Sequence, residues 1–171
     1  MTERQAHWNE AYTTNAETNV SWYQRNPSRS LELITAAAPC TGSVIDVGGG
    51  ASNLADALLS NGYSDLTVLD ISAVALELSK ARLGRLSGKI FWIVADITHW
   101  QPQRTWDVWH DRAVFHFLTA AEAQDAYIAA LKRCTIVGSA VIMATFALTG
   151  PEKCSGLPVQ RYSPATLAAR L

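Results

Sequence analysis

Five short runs rich in β-branched and apolar residues recur along the chain, at 43–47, 66–69, 90–94, 106–109 and 140–147. None alternates apolar with polar positions as a strand wetted on one face does, so each predicts a strand buried on both faces. Between them lie Ala- and Leu-rich segments with apolar residues at helical spacing, at 53–60, 73–86 and 120–134, with Ser52, Ser72 and Thr119 as expected N-caps. Strand, helix, strand in repetition implies right-handed crossovers and a parallel sheet. The expected class is therefore α/β, a doubly wound, Rossmann-like, mostly parallel sheet with helices on both faces.

About forty residues of different character precede the first strand. They carry Trp8, Tyr12, Trp22 and Tyr23 among polar neighbours, then a helical stretch at 27–38 that begins with a proline. These predict cap helices over 1–40 in front of a core over 41–171, in one domain of 171 residues. Aromatic rings among polar loop residues suit the mouth of a pocket.

Composition narrows the partners. A net charge of −1, with Lys and Arg scattered along the chain, leaves no electrostatic footprint for a nucleic-acid backbone or an anionic membrane. The three cysteines, Cys40, Cys134 and Cys154, are too few and too far apart for a disulfide framework or a zinc site, which fits a reducing cytoplasm. The run at 140–148 falls far short of the ~20 residues of a membrane helix, so a cytoplasmic protein without a membrane span is expected.

In a doubly wound sheet, ligands bind beyond the carboxyl ends of the strands near the switch point. After the first strand stands Gly48-Gly49-Gly50, where missing side chains let the backbone turn sharply and approach a ligand, with Asp46 at the strand end to hold the loop. A dinucleotide loop would need glycine at Asn53, and a phosphate loop would need a lysine that is missing. After the second strand, Asp70 stands some two dozen residues beyond the glycines, where a carboxylate accepts both hydroxyl hydrogens of a ribose. After the third, Asp96 can accept a hydrogen bond from an adenine amino group, with Ile97 as an apolar neighbour to the ring. Turn formation accounts for any one such aspartate. It accounts poorly for all of them together with the glycines.

The segments Val44-Ile45-Asp46-Val47-Gly48-Gly49-Gly50, Val68-Leu69-Asp70-Ile71-Ser72 and Val94-Ala95-Asp96-Ile97 resemble motifs I, II and III of class I methyltransferases that use S-adenosylmethionine (SAM). With His7-Trp8-Asn9-Glu10-Ala11-Tyr12, Ser21-Trp22-Tyr23 and Gly62-Tyr63, the chain is similar, over residues 8–162, to the branch that includes elongation-factor lysine methyltransferases and bacterial proteins of unassigned substrate. Ser52 stands where motif I usually has its third glycine. The resemblance implies that Gly48 and Gly50 approach the methionine part of SAM, Asp70 and Ile71 take the ribose, and Asp96 and Ile97 hold adenine. It also implies that Trp8, Tyr12 and Trp22 close the pocket, and that His110, Asp111 and Arg112 line the space between sulfonium and acceptor.

Methyl transfer from a sulfonium is an in-line displacement that needs alignment and desolvation more than a protein nucleophile. An acceptor that arrives protonated also needs a base. His110 or His116 can fill that role, with Asp111 orienting the SAM amino group or the acceptor, or instead neutralised by Arg112. Against these roles, His110 can contribute only its backbone and His116, between two phenylalanines, can be a core residue. No metal site is expected, since no ligands recur at a recognisable spacing. Phe115, His116, Phe146, Leu157 and Tyr162 would make a partly apolar acceptor pocket, with Cys154 and Arg161 in the same loop, and a small-molecule acceptor is favoured over a protein.

Family sheets end in a hairpin of two further strands beside the fifth, and the pattern here contains no sign of it. Strand 5 would then be an open apolar edge, so either a truncated chain or a homodimer covering that edge is expected. Two other functions compete: a catalytically silent SAM-binding or interaction module, and a nicotinamide-dependent oxidoreductase, which Asn53 disfavours.

Overall fold

The computed structural model describes residues 2–14 and 23–171. Five strands, β1 (Ser43–Val47), β2 (Asp65–Asp70), β3 (Ile90–Val94), β4 (Val108–Arg112) and β5 (Ala140–Ala144), form one sheet in the order β3-β2-β1-β4-β5. Every pairing in it is parallel. The helices are α1 (Glu3–Thr14), α2 (Ser28–Ala37), α3 (Leu54–Ser60), α4 (Ala73–Leu83), α5 (Ala121–Cys134) and α6 (Pro164–Arg170). The chain order reverses between β1 and β4, so the switch point and its crevice lie at the carboxyl ends of those two strands.

The central strands alternate after all, between two cores instead of between core and solvent. Val44, Leu66, Val68 and Val108 pack with Ile34, Leu54, Leu58 and Leu76 beneath α2, α3 and α4. Ile45, Val47, Leu69 and Trp109 pack with Tyr127, Ile128 and Leu131 beneath α5. Polar strand residues obey the same parity. His110 faces α2, with Nδ1 2.7 Å from Asp46 Oδ1 and Nε2 2.9 Å from Ser30 Oγ. Asp111 faces α5, where it accepts from the Tyr127 hydroxyl. Only the edge strands expose apolar side chains, Phe91 and Val94 on β3 and Val141 on β5, so the expectation of strands buried on both faces holds for β1, β2 and β4 and not for the edges.

Boundaries shift where local chemistry overrides pattern. The fourth strand begins at Val108, because Trp106 turns into the core and donates from Nε1 to Thr67 Oγ1. The fifth ends at Ala144. Ser72 caps α4, accepting from the Ala75 amide; Ser52 stands one place before the cap of α3 yet its hydroxyl accepts the Leu54 amide at 3.1 Å, while Thr119 does not cap; the cap positions belong to Asn53 and Ala120, neither with a side-chain capping bond, and Pro27 precedes α2 as its cap. A hairpin does follow the fifth strand, correcting the expectation that none exists. β6 (Lys153–Cys154) and β7 (Leu157–Pro158) pair antiparallel through Ser155 and Gly156, both at positive φ, as a two-residue primed turn requires. It stands as a separate two-stranded sheet, and among the described residues no strand pairs with the outer side of β5. No helix among the described residues is long and apolar enough to cross a membrane.

Asp46, His110 and Ser30 are 5 %, 2 % and 7 % exposed and join β1, β4 and α2 in one hydrogen-bonded chain. A carboxylate only accepts, so Nδ1 carries the hydrogen towards Asp46. Removing one partner of a buried charged contact leaves the other desolvated and unmet. His110→Ala should therefore lower unfolding stability by about 3 kcal/mol in urea titration at an unchanged m-value; a loss within experimental error would mean that the chain of bonds carries no weight.

Candidate functional site

Gly48 leaves β1 at φ +70° and donates its amide to Leu69 O at 2.7 Å, turning the chain across the end of β2. A Cβ here would come within 2.0 Å of Val114 Cγ2. Gly50 sits at φ +41°, where a Cβ would meet Asp70 Oδ2 at 2.9 Å and the Tyr12 hydroxyl at 3.0 Å. Both positions demand glycine on conformation and on space. Asp46 Oδ2 lies against Gly49, so the side chain bound to His110 also supports the loop. Asn53, the residue that breaks the dinucleotide pattern, donates from Nδ2 to Gln24 O and Arg25 O and ties the chain before α2 to the loop.

A cleft with about 800 Å³ of open space lies over the carboxyl ends of the strands. Val47 and Gly48 line it from β1, Leu69, Asp70 and Ile71 from β2, Ala95, Asp96 and Ile97 from β3, and Arg112 to Val114 from β4. Arg4, Trp8 and Tyr12 of α1 line it from the N-terminal side. Helix α1 is held there by the Ser72 hydroxyl, which donates to Asn9 Oδ1 at 2.8 Å, and by the edge of the Trp8 ring on Phe117 at 5.0 Å.

Asp70 is buried and its carboxylate takes the Ser72 amide at 2.7 Å, with the amides of Gly50 and Ile71 beside it. Burial nevertheless dominates and pushes its pKa up to about 7, with the Asp46 carboxylate adding to the rise. Asp96 differs. Its Oδ1 is committed to the Thr98 amide and hydroxyl at 3.0 and 2.7 Å, a local turn, while Arg4 Nη1 stands 3.7 Å from the same oxygen.

Of the residues expected to bind a cofactor, Trp8, Tyr12, Gly48, Asp70, Ile71, Asp96, Ile97 and Arg112 all border this one cleft. Gly50 stands behind Asp70, and Asp46 lies beneath the loop, bound to His110. Trp22 falls outside the described residues. The three expected catalytic side chains do not border the cleft. The His110 ring is spent on Asp46 and Ser30 on the α2 side of the sheet. Asp111 is 1 % exposed; it receives the amides of Val114 at 2.7 Å and Phe115 at 3.0 Å, and Trp109 Nε1 donates to the same Tyr127 hydroxyl that serves it. Burial raises the Asp111 pKa to about 6 and the Tyr127 pKa well above its ordinary value. Asp111 thus fixes the turn after β4, in which Ala113 takes φ +79°, unusual for a residue with a Cβ. His116 lies one ring behind the wall, against Phe117 at 4.4 Å and Phe146 at 4.8 Å.

Arg4, Ala113, Val114, Phe117, Leu118 and Cys154 complete the cleft, and most carried no signal in sequence. Cys154 reaches it on the β6–β7 hairpin, whose Cys-Ser-Gly-Leu turn was the readable cue. The loop bearing the hairpin is fastened by the Gln160 amide to His116 O at 2.7 Å and by the Tyr162 amide to Phe146 O at 2.9 Å.

Comparison with known proteins agrees with this fold. Solved structures share the fold at low identity. The DhpI–SAM–HEP complex has a TM-score of 0.75 at 18 % identity, over 98 % of this chain and 86 % of that one. A TehB-like SAM-dependent methyltransferase from Corynebacterium glutamicum has a TM-score of 0.63 at 17 % identity, over 86 % of this chain and 76 % of that one. The glycopeptide N-methyltransferase MtfA complexed with S-adenosylhomocysteine has a TM-score of 0.64 at 17 % identity, over 74 % of this chain; this chain spans 55 % of that one. No curated protein matches the sequence. The family described as "Methyltransferase domain" matches residues 44–137, more than half of the chain, from the second residue of β1 through α5, and the chain belongs to that family.

Proposed function

We propose that the chain is a SAM-dependent methyltransferase, a single domain whose cleft holds SAM between the glycine loop, Asp70 and the Asp96–Ile97 pair, under the rings of Trp8 and Tyr12. The observation that carries this reading is the buried Asp70 carboxylate facing Gly50 at the mouth of a glycine loop, where any Cβ would fill the space beside it. A ribose diol is a pair of donors that such a carboxylate can accept, and its burial excludes competing water. Asp96 Oδ1 is partly engaged by Thr98, so its role towards adenine falls to the remaining lone pairs. Arg112, at the end of β4, supplies positive charge for the methionine carboxylate.

The DhpI and MtfA structures, solved with SAM and S-adenosylhomocysteine, support the choice of cofactor. A glycopeptide methyltransferase among the neighbours and a mostly apolar cleft favour a small-molecule acceptor over a protein. Displacement at a sulfonium methyl needs no covalent enzyme intermediate. A sulfonium loses its charge as the methyl leaves, so a dry, apolar cleft that aligns donor and acceptor favours the transition state.

Calorimetry tests the cofactor assignment. SAM and S-adenosylhomocysteine should bind the intact chain, and Asp70→Ala should weaken binding about 100-fold by removing two charge-assisted hydrogen bonds; unchanged affinity in the variant would place the ligand elsewhere. Only the ionised carboxylate accepts from both hydroxyls, so binding lowers the Asp70 pKa and releases a proton. Affinity should then climb as pH rises towards about 7 and level off above it, and Asp70→Asn should lose that climb. Gly48→Ala, strained by its φ of +70° and by Val114, should cost about 1–3 kcal/mol of stability and at least tenfold in cofactor affinity; a variant with both intact would refute the role given to the loop.

A further inference from the structure

His116 has no place in cofactor binding, yet it is among the most costly side chains in the fold. Its ring is 0 % exposed, and neither Nδ1 nor Nε2 has a hydrogen-bond partner. Buried polar groups in native proteins nearly always find partners, and each one left unmet costs about 1–3 kcal/mol. A core position with these neighbours would be filled at lower cost by phenylalanine or leucine. An orphaned donor and acceptor held at such a cost points to a ligand that completes them.

The ring lies directly behind the wall of the cleft. His116 belongs to the 3-10 turn Phe115–Phe117 that leaves β4, on the carboxyl side of the sheet. Phe117, half-buried, lines the cofactor cleft on one side and presents its ring to His116 at 81° on the other. Phe146, at the root of the loop that carries Cys154 to the cleft, covers another side of the imidazole. Phe117 is therefore the side chain that stands between the His116 ring and the cleft. Burial pushes the imidazole pKa down to about 4, so the ring is neutral, with one nitrogen bearing hydrogen and the other a free lone pair.

We propose that His116 is the proton acceptor of the methyl transfer, reached from the cleft when Phe117 swings aside, and that the acceptor is a small, neutral, apolar molecule with a hydroxyl, an aromatic alcohol or phenol. The proposal rests on the SAM reading. As the acceptor oxygen forms its bond to the methyl carbon, the carbon–sulfur bond breaks and its electron pair returns to sulfur, leaving a neutral thioether. The O–H proton becomes strongly acidic as the oxygen gains the methyl group and passes to the unprotonated nitrogen of His116; the imidazolium then gives it to water. A neutral imidazole in an aromatic cage suits a hydroxyl donor. It offers nothing to an ammonium, which would need an anion or its own deprotonation first.

The test compares wild type and His116→Gln with para-cresol, which is protonated at the assay pH, and para-nitrophenol, which is ionised. Wild type should methylate both. The variant should lose about 100-fold in kcat with para-cresol and less than about threefold with para-nitrophenol, which has no proton to give. Its affinity for S-adenosylhomocysteine should not change. Independently of turnover, adding para-cresol to the wild-type complex with S-adenosylhomocysteine should shift the His116 ring-nitrogen NMR signals. Equal losses with both phenols, methylation of neither by wild type, or unmoved ring signals would each overturn the proposal. If S-adenosylhomocysteine itself fails to bind wild type, the cofactor reading falls instead.

Discussion

Asp46 must satisfy a carboxylate in the middle of a sheet buried on both faces, and the arrangement that satisfies it also builds the site. Its Oδ1 pairs with His110 across the β1–β4 register, where the two residues are direct partners, and its Oδ2 lies against Gly49. The second ring nitrogen of His110 meets Ser30 on α2. The switch point, the cap helix and the glycine loop are therefore tied to one buried group. An apolar residue at 46 would pack well enough, but the loop would lose its support from below, and Gly48 and Gly50 would no longer be held at the positive φ values that open the cleft.

Three acidic groups near this centre divide the work by what surrounds them. Asp111 is closed off by two backbone amides and Tyr127, and so holds the turn that presents Ala113 and Val114. Asp96 is partly consumed by its own turn. Asp70 alone combines burial, a raised pKa and a face on the cleft. Desolvation without full compensation marks a group kept for a ligand, and the same argument singles out His116, where compensation is missing altogether.

Much of this was legible in the chain. The parallel sheet follows from five apolar runs that do not alternate, and the cleft from glycines and aspartates at the ends of consecutive strands. What could not be read was which way a side chain points. His110 and Asp111 are neighbours on β4 and look equally near the chemistry, yet strand parity sends one to α2 and the other to α5 and neither to the cleft. The contribution of Arg4 depends on how α1 lies across the strand ends and that of Phe117 on the turn that leaves β4, tertiary matters with no local signal. The hairpin at 153–158 has Ser155-Gly156 as its one local cue, because four paired residues set no periodicity.

The central claim is that this cleft is a SAM site organised by the glycine loop and Asp70. A crystal structure of the chain with S-adenosylhomocysteine tests it most directly. The account predicts both ribose hydroxyls on the Asp70 carboxylate, adenine beside Ile97, and the amino-acid end over Gly48; an adenosyl group bound elsewhere, or one whose ribose makes no contact with Asp70, would contradict it.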